Sequence, residues 1–143
     1  MRRALCGLSL LLSLLLSGCE NNATAYEIEG RNHAISLLRE QPYPYSKEVK
    51  QAIVVSRFPS CQRRYKILPG TRKGPRMELW QLQDQLFVAS QGQNWYAIGT
   101  EKCLVQRMEP TGDAPPGRLL GRFELKEGVL AFVPERTKDK EPE

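Results

Sequence analysis

Apolar and polar residues alternate along most of this chain with the two-residue period of half-buried strands. Gln51 to Arg57 is rich in β-branched residues, and Cys61 to Leu68 sets Cys61, Tyr65 and Ile67 against Gln62, Arg64 and Lys66. Met77 to Leu82, Gln85 to Ser90 and Asn94 to Thr100 follow, separated by the short polar turns Gln83-Asp84 and Gln91-Gly92-Gln93, which is the pattern of a meander. Lys102 to Met108 comes next, and then a break at Glu109 to Gly117 that holds Pro110, Pro115, Pro116 and two glycines. Leu119 to Leu125 and Val129 to Val133 flank Lys126-Glu127-Gly128, where the glycine supplies the positive φ that a tight hairpin needs.

One segment fits two patterns. Ala34, Leu37, Leu38 and Gln41 share a helical face, yet Tyr26 to Glu29 and His33 to Leu38 also fit a hairpin around Gly30-Arg31-Asn32. The turn formers Gly30 and Asn32 favour the hairpin. The whole reads as seven or eight short strands and at most one short helix, a mainly β domain that a small antiparallel barrel or sandwich would bury. No internal repeat is visible.

The first residues follow a different rule. Met1-Arg2-Arg3 is a short positive segment, and Ala4 to Leu16 is an uncharged leucine-rich stretch of 13 residues, too short to span a bilayer as a lasting helix. It ends in Leu16-Ser17-Gly18-Cys19, which resembles the lipobox of bacterial lipoproteins. The resemblance covers about the first nineteen residues. It implies cleavage before Cys19, a diacylglyceryl group on the Cys19 thiol, further acylation of the freed amine, and hence attachment to the lipid bilayer without a transmembrane helix. Glu20 stands where aspartate would retain such a protein at the inner membrane, so the resemblance implies the outer membrane, facing the periplasm. Asn22-Ala23-Thr24 matches a glycosylation sequon, a coincidence beside a bacterial anchor. The expected organisation is a signal peptide over 1–18, a lipidated tether over 19–25, a β-rich domain over 26–133 and a charged tail over 134–143 whose composition favours disorder.

Cysteine arithmetic depends on that assignment. With Cys6 in the signal peptide and Cys19 lipidated, Cys61 and Cys103 are left to each other in a compartment that permits disulfides. A catalytic thiol or a metal site are the competing uses, but neither cysteine lies in a CxxC motif and the single histidine, His33, has no ligand-like neighbour at a useful spacing.

Charge narrows the function classes. The chain carries +5, or +3 without Arg2 and Arg3, which is mildly basic and unlike a nucleic-acid-binding domain. From Val49 to Met77, however, there are eight basic residues and no acidic one. Arg63, Arg64, Lys66, Arg72, Lys73 and Arg76 are the candidate contacts for an anionic partner: lipid head groups, lipopolysaccharide or an envelope protein. The same residues also fit a solvated strand face guarding an edge against aggregation. Trp80, Trp95 and Tyr96 fit either a sugar-stacking platform or core filling, and Tyr43-Pro44-Tyr45 carries the same ambiguity.

No GxSxG, HExxH or SxxK motif is present, and Glu78, Asp84, Glu101 and Glu124 show no paired spacing. No catalytic residue, metal site or cofactor is expected. The sequence thus predicts a membrane-anchored, non-enzymatic binding or structural module; a small periplasmic enzyme acting on glycan or lipid is the alternative, which a carboxylate beside His33 would favour.

Overall fold

The computed structural model describes residues 21–136, so the signal segment, Cys19 and residues 137–143 of the expected tail lie outside the described residues. Ten strands are present: β1 (Asn21–Glu27), β2 (His33–Glu40), β3 (Glu48–Arg57), β4 (Cys61–Thr71), β5 (Met77–Gln83), β6 (Leu86–Gln91), β7 (Asn94–Gly99), β8 (Leu104–Met108), β9 (Arg118–Lys126) and β10 (Val129–Pro134). There is no helix among the described residues. The strands form two antiparallel sheets, one ordered β1-β2-β3-β4 and the other β10-β9-β5-β6-β7-β8, which are not closed into a barrel. Of the barrel and the sandwich, this is the arrangement of a sandwich.

The ambiguous segment is the hairpin β1–β2. Its first strand starts earlier than the sequence pattern implied, because Asn21 to Ala25 pair with Glu40 to Ser36. Residues 21–25, expected as tether, therefore belong to the sheet as the start of its edge strand. The turn between β5 and β6 also shifts by one residue. Gln85 takes φ 62°, since a two-residue hairpin turn needs positive φ, and Arg57 Nη1 donates to its side chain while Thr100 N donates to its carbonyl at 2.9 Å. At the other hairpin Glu127 (φ 51°) and Gly128 (φ 77°) make the expected tight turn.

The core lies between the sheets. Ile35, Leu37, Ile53, Val55 and Ile67 from the four-stranded sheet face Met77, Leu79, Phe87, Tyr96, Ile98 and Phe123 from the six-stranded one. Each large apolar side chain so buried contributes about 1.5–3 kcal/mol. Along the β1/β10 seam, Tyr26 packs on Phe132 (5.0 Å between ring centroids) and Phe132 on Phe123 (5.0 Å). Along the opposite seam Cys61 and Cys103 are joined in a disulfide, bridging β4 to the turn before β8, and Tyr65 Oη donates to the Cys103 carbonyl at 2.7 Å. The bridge thus ties one sheet to the other.

Register assigns every loop but 109–117 to one of two poles. Asn21, the loop 41–47, the loop 72–76 and the turn 92–93 lie at the same pole, since Asn21 opposes Glu40, Glu48 opposes Thr71 and Gln91 opposes Asn94. The turn 28–32, the disulfide and the exit of β10 lie at the other.

The proline-rich break has a structural task. The chain leaves β8 at Met108, opposite Trp95, and enters β9 at Arg118, opposite Gln81, so it passes from one pole to the other and across three strands. The nine residues between reach about 30 Å when extended, enough for a diagonal of roughly 25 Å. They form a strap over the outer face of the six-stranded sheet. Pro115 is buried, and so are the outward-pointing Val88 and Trp95. Gly117, at φ 107°, runs so close to β5 that a Cβ there would stand 2.3 Å from the Gln81 carbonyl oxygen.

Candidate binding surface

Polar side chains interrupt the inward-facing pattern near the pole where β1 begins. Arg39 and Gln51 occupy inward positions at 1% and 2% exposure, and Gln41 follows at the start of the loop. Buried donors need acceptors, and here backbone carbonyls at the end of β4 and in the neighbouring loops supply them. Gln51 Nε2 donates to the Leu68 carbonyl at 2.8 Å and exchanges amide hydrogen bonds with Gln91, whose Nε2 also donates to the Pro75 carbonyl at 2.6 Å. Arg39 donates to the Thr71 carbonyl. Gln41 Nε2 reaches the Pro44 and Ser46 carbonyls at 3.1 and 3.3 Å, and Arg72 donates to the same two oxygens.

Two loops without regular structure are thereby braced. On the first of them Tyr43 and Tyr45 stack with centroids 5.6 Å apart and planes 8° from parallel. They are 57% and 81% exposed, so this aromatic pair is presented to the exterior and is not core.

The basic run does not make one patch. Strand parity sends Arg64 and Lys66 to the outer face of the four-stranded sheet, where they meet Lys50 around an open groove of about 400 Å³ floored by Leu38 and Ala52, with Glu40 on its rim. Arg63 takes the opposite parity at the sheet edge and does not line that groove. Arg72 is committed to the loop 41–47. Lys73 and Arg76 border a separate cleft of about 500 Å³ at the pole, beside Pro75, Gln91 and Asn94. Of the six residues read from the sequence, two share the groove and two share the polar cleft. Lys50 joins the groove because it stands opposite Glu40 in the β2–β3 register, which a linear run of charge does not reveal.

The aromatic residues on the six-stranded sheet do not share a platform. Tyr96 points into the core at 3% exposure and its hydroxyl accepts from Leu68 N at 3.2 Å. Trp95, the next residue along the strand, points outward and is covered at 2% exposure, its indole donating to the Gly92 carbonyl at 3.2 Å. Trp80 is half-buried and donates to Glu78 at 3.2 Å.

His33 sits at the opposite pole. Its Nδ1 lies 3.9 Å from Glu29 Oε2, its Nε2 is buried without a hydrogen-bond partner among the described residues, and a cavity of about 300 Å³ beside it is also lined by Arg57, Asp84 and Thr100. The Thr100 side chain is directed to the Gln85 carbonyl at 3.4 Å. Among the described residues no three His, Cys, Asp or Glu side chains converge as a metal site. Comparison with protein-family models, with curated proteins and with solved structures finds no match for this chain.

Proposed function

We propose that this chain is a lipid-anchored protein of the bacterial envelope, held through acylated Cys19, whose β domain is a non-enzymatic binding module for an anionic envelope component. The location rests on the Leu16-Ser17-Gly18-Cys19 motif behind its charged and apolar lead. The observation that carries the binding role is the uncovered outer face of the four-stranded sheet, where Arg64, Lys66 and Lys50 surround an apolar floor. Cations around a half-buried aliphatic floor suit a partner that is acidic and partly apolar, such as an anionic lipid, lipopolysaccharide or the acidic surface of another envelope protein. Outer-membrane placement follows from Glu20.

A photo-crosslinking residue at Leu38, in the groove floor, tests the binding role in intact cells. Its adduct should fall away when Arg64 and Lys66 are changed to glutamine, while the same probe at Ala114 on the strap gives no such adduct. Equal products from both positions would refute it. Intact mass of the mature protein tests the anchor separately, the expected mass being that of a chain starting at an acylated Cys19.

The Glu29–His33 pair favours a second reading, a small envelope enzyme acting on glycan or lipid. It stands second because Glu29 is exposed and the neighbouring hydroxyl of Thr100 is occupied. Loss of an envelope hydrolytic activity in His33→Gln, with unchanged fold, would promote it.

A further inference from the structure

The pole that carries the loops 41–47 and 72–76 is also the pole at which the chain enters the fold, because Asn21 opens β1 opposite Glu40. Only Glu20 separates Cys19 from that strand, and two residue steps span at most about 7 Å. A domain acylated at Cys19 has no slack to turn this pole away from the membrane. Resting on the anchoring reading above, we infer that this pole is a membrane-contact surface that seats the domain on anionic phospholipid head groups, with Tyr43 and Tyr45 in the interfacial layer and Lys47, Lys73 and Arg76 against phosphates.

The composition of the pole fits that occupant. Tyrosine has an apolar ring and a polar tip and concentrates at membrane–water interfaces. Tyr43 and Tyr45 are among the most exposed large hydrophobic residues described, and Val129, 62% exposed in the β9–β10 hairpin, belongs to the same pole. Lys47, Lys73, Arg76 and Lys126 are exposed around them, against Glu40, Glu48 and Glu127. The brace formed by Gln41 and Arg72 matters here because a pre-set aromatic pair loses less freedom on docking than a free loop would. The groove with Arg64 and Lys66 then lies on the flank of the seated domain, open to the periplasmic side. His33, the disulfide and the C-terminal end of β10 point away from the lipid.

The test compares the two poles. Mature protein bearing Tyr45→Cys or, at the far pole, the exposed Phe58→Cys is labelled with an environment-sensitive fluorophore and reconstituted into vesicles of phosphatidylethanolamine and phosphatidylglycerol. The label at position 45 should shift to the blue and be quenched by brominated lipid, while the label at position 58 keeps its aqueous spectrum. A shift from both labels, or from neither, overturns the inference. In the unanchored Cys19→Ser chain, binding to the same vesicles should weaken about fivefold for each of Lys47→Gln and Lys73→Gln, and vanish on phosphatidylcholine alone; salt-independent binding unaffected by these changes also overturns it. A missing lipid mass on Cys19 would overturn the anchoring reading alone, and the label contrast in the Cys19→Ser chain then decides this one by itself.

Discussion

The two outer faces of this sandwich are built from the same alternating strands and end in opposite states. On the six-stranded sheet, Val88 and Trp95 point outward and are as buried as the core, because the strap over 109–117 lies across them. Among the described residues no segment crosses the four-stranded sheet. Its outward positions hold short side chains, Ala34, Ser36, Ala52 and Ser56, with Leu38 and Val54 half-buried between them and cations along one side. The difference comes from topology: the step from β8 to β9 must traverse a face, whereas β1 to β4 are joined by hairpins that never leave their own edge. Where no connection covers a face, a large apolar patch is a liability, and here Leu38 and Val54 are kept half-buried among short side chains.

The disulfide, which belongs to neither face, has the largest expected effect and sets the scale. Cys61→Ser with Cys103→Ser opens a span of 42 positions and should cost roughly 4 kcal/mol on a chain-entropy estimate, measured by urea unfolding. Trp95→Ala comes next, at about 3 kcal/mol or somewhat more; a cost like that of a surface residue would mean that the strap does not cover it. Gly117→Ala strains a left-handed residue pressed against β5 and should cost about 1–3 kcal/mol, with faster amide exchange across β5 and β6 as the sign that the strap has lifted. Leu38→Ala on the bare face should cost less than about 1 kcal/mol. Smallest of all, Arg64→Gln with Lys66→Gln should leave stability within about 0.5 kcal/mol while removing the Leu38 crosslink, since exposed charges at an edge contribute little to folding.

Much of this fold is legible in the pattern of the chain itself. Period-two runs locate β3 to β10 closely, Glu127-Gly128 marks its own turn, and the cysteine count pairs Cys61 with Cys103. The misreadings have specific physical causes. Residues 21–25 look like a linker because an edge strand with one exposed face can be polar. Prolines and glycines at 109–117 signal the end of a strand but not where the chain must travel next, which depends on sheet order. The site was harder still. Arg39 and Gln51 are polar at inward positions, and acceptors distant in the sequence, among them the carbonyls of Thr71 and Leu68 and the side chain of Gln91, help to satisfy them there. Eight clustered positive charges look like one patch in a linear sequence, but strand parity and one polar turn divide them between a face, an edge and a pole. Tyr43 and Tyr45 were ambiguous because their exposure depends on a brace from Gln41 and Arg72, the latter far along the chain.

The early start of β1 also has a mechanical meaning. Asn21 to Glu27 are laid against β2 in continuous register, so a pull transmitted from the N-terminal side runs along the strand and loads its cross-strand hydrogen bonds together, in shear. For a chain anchored through Cys19 as proposed, load entering by the first residues would meet the seven-residue β1–β2 ladder as a unit rather than one bond at a time.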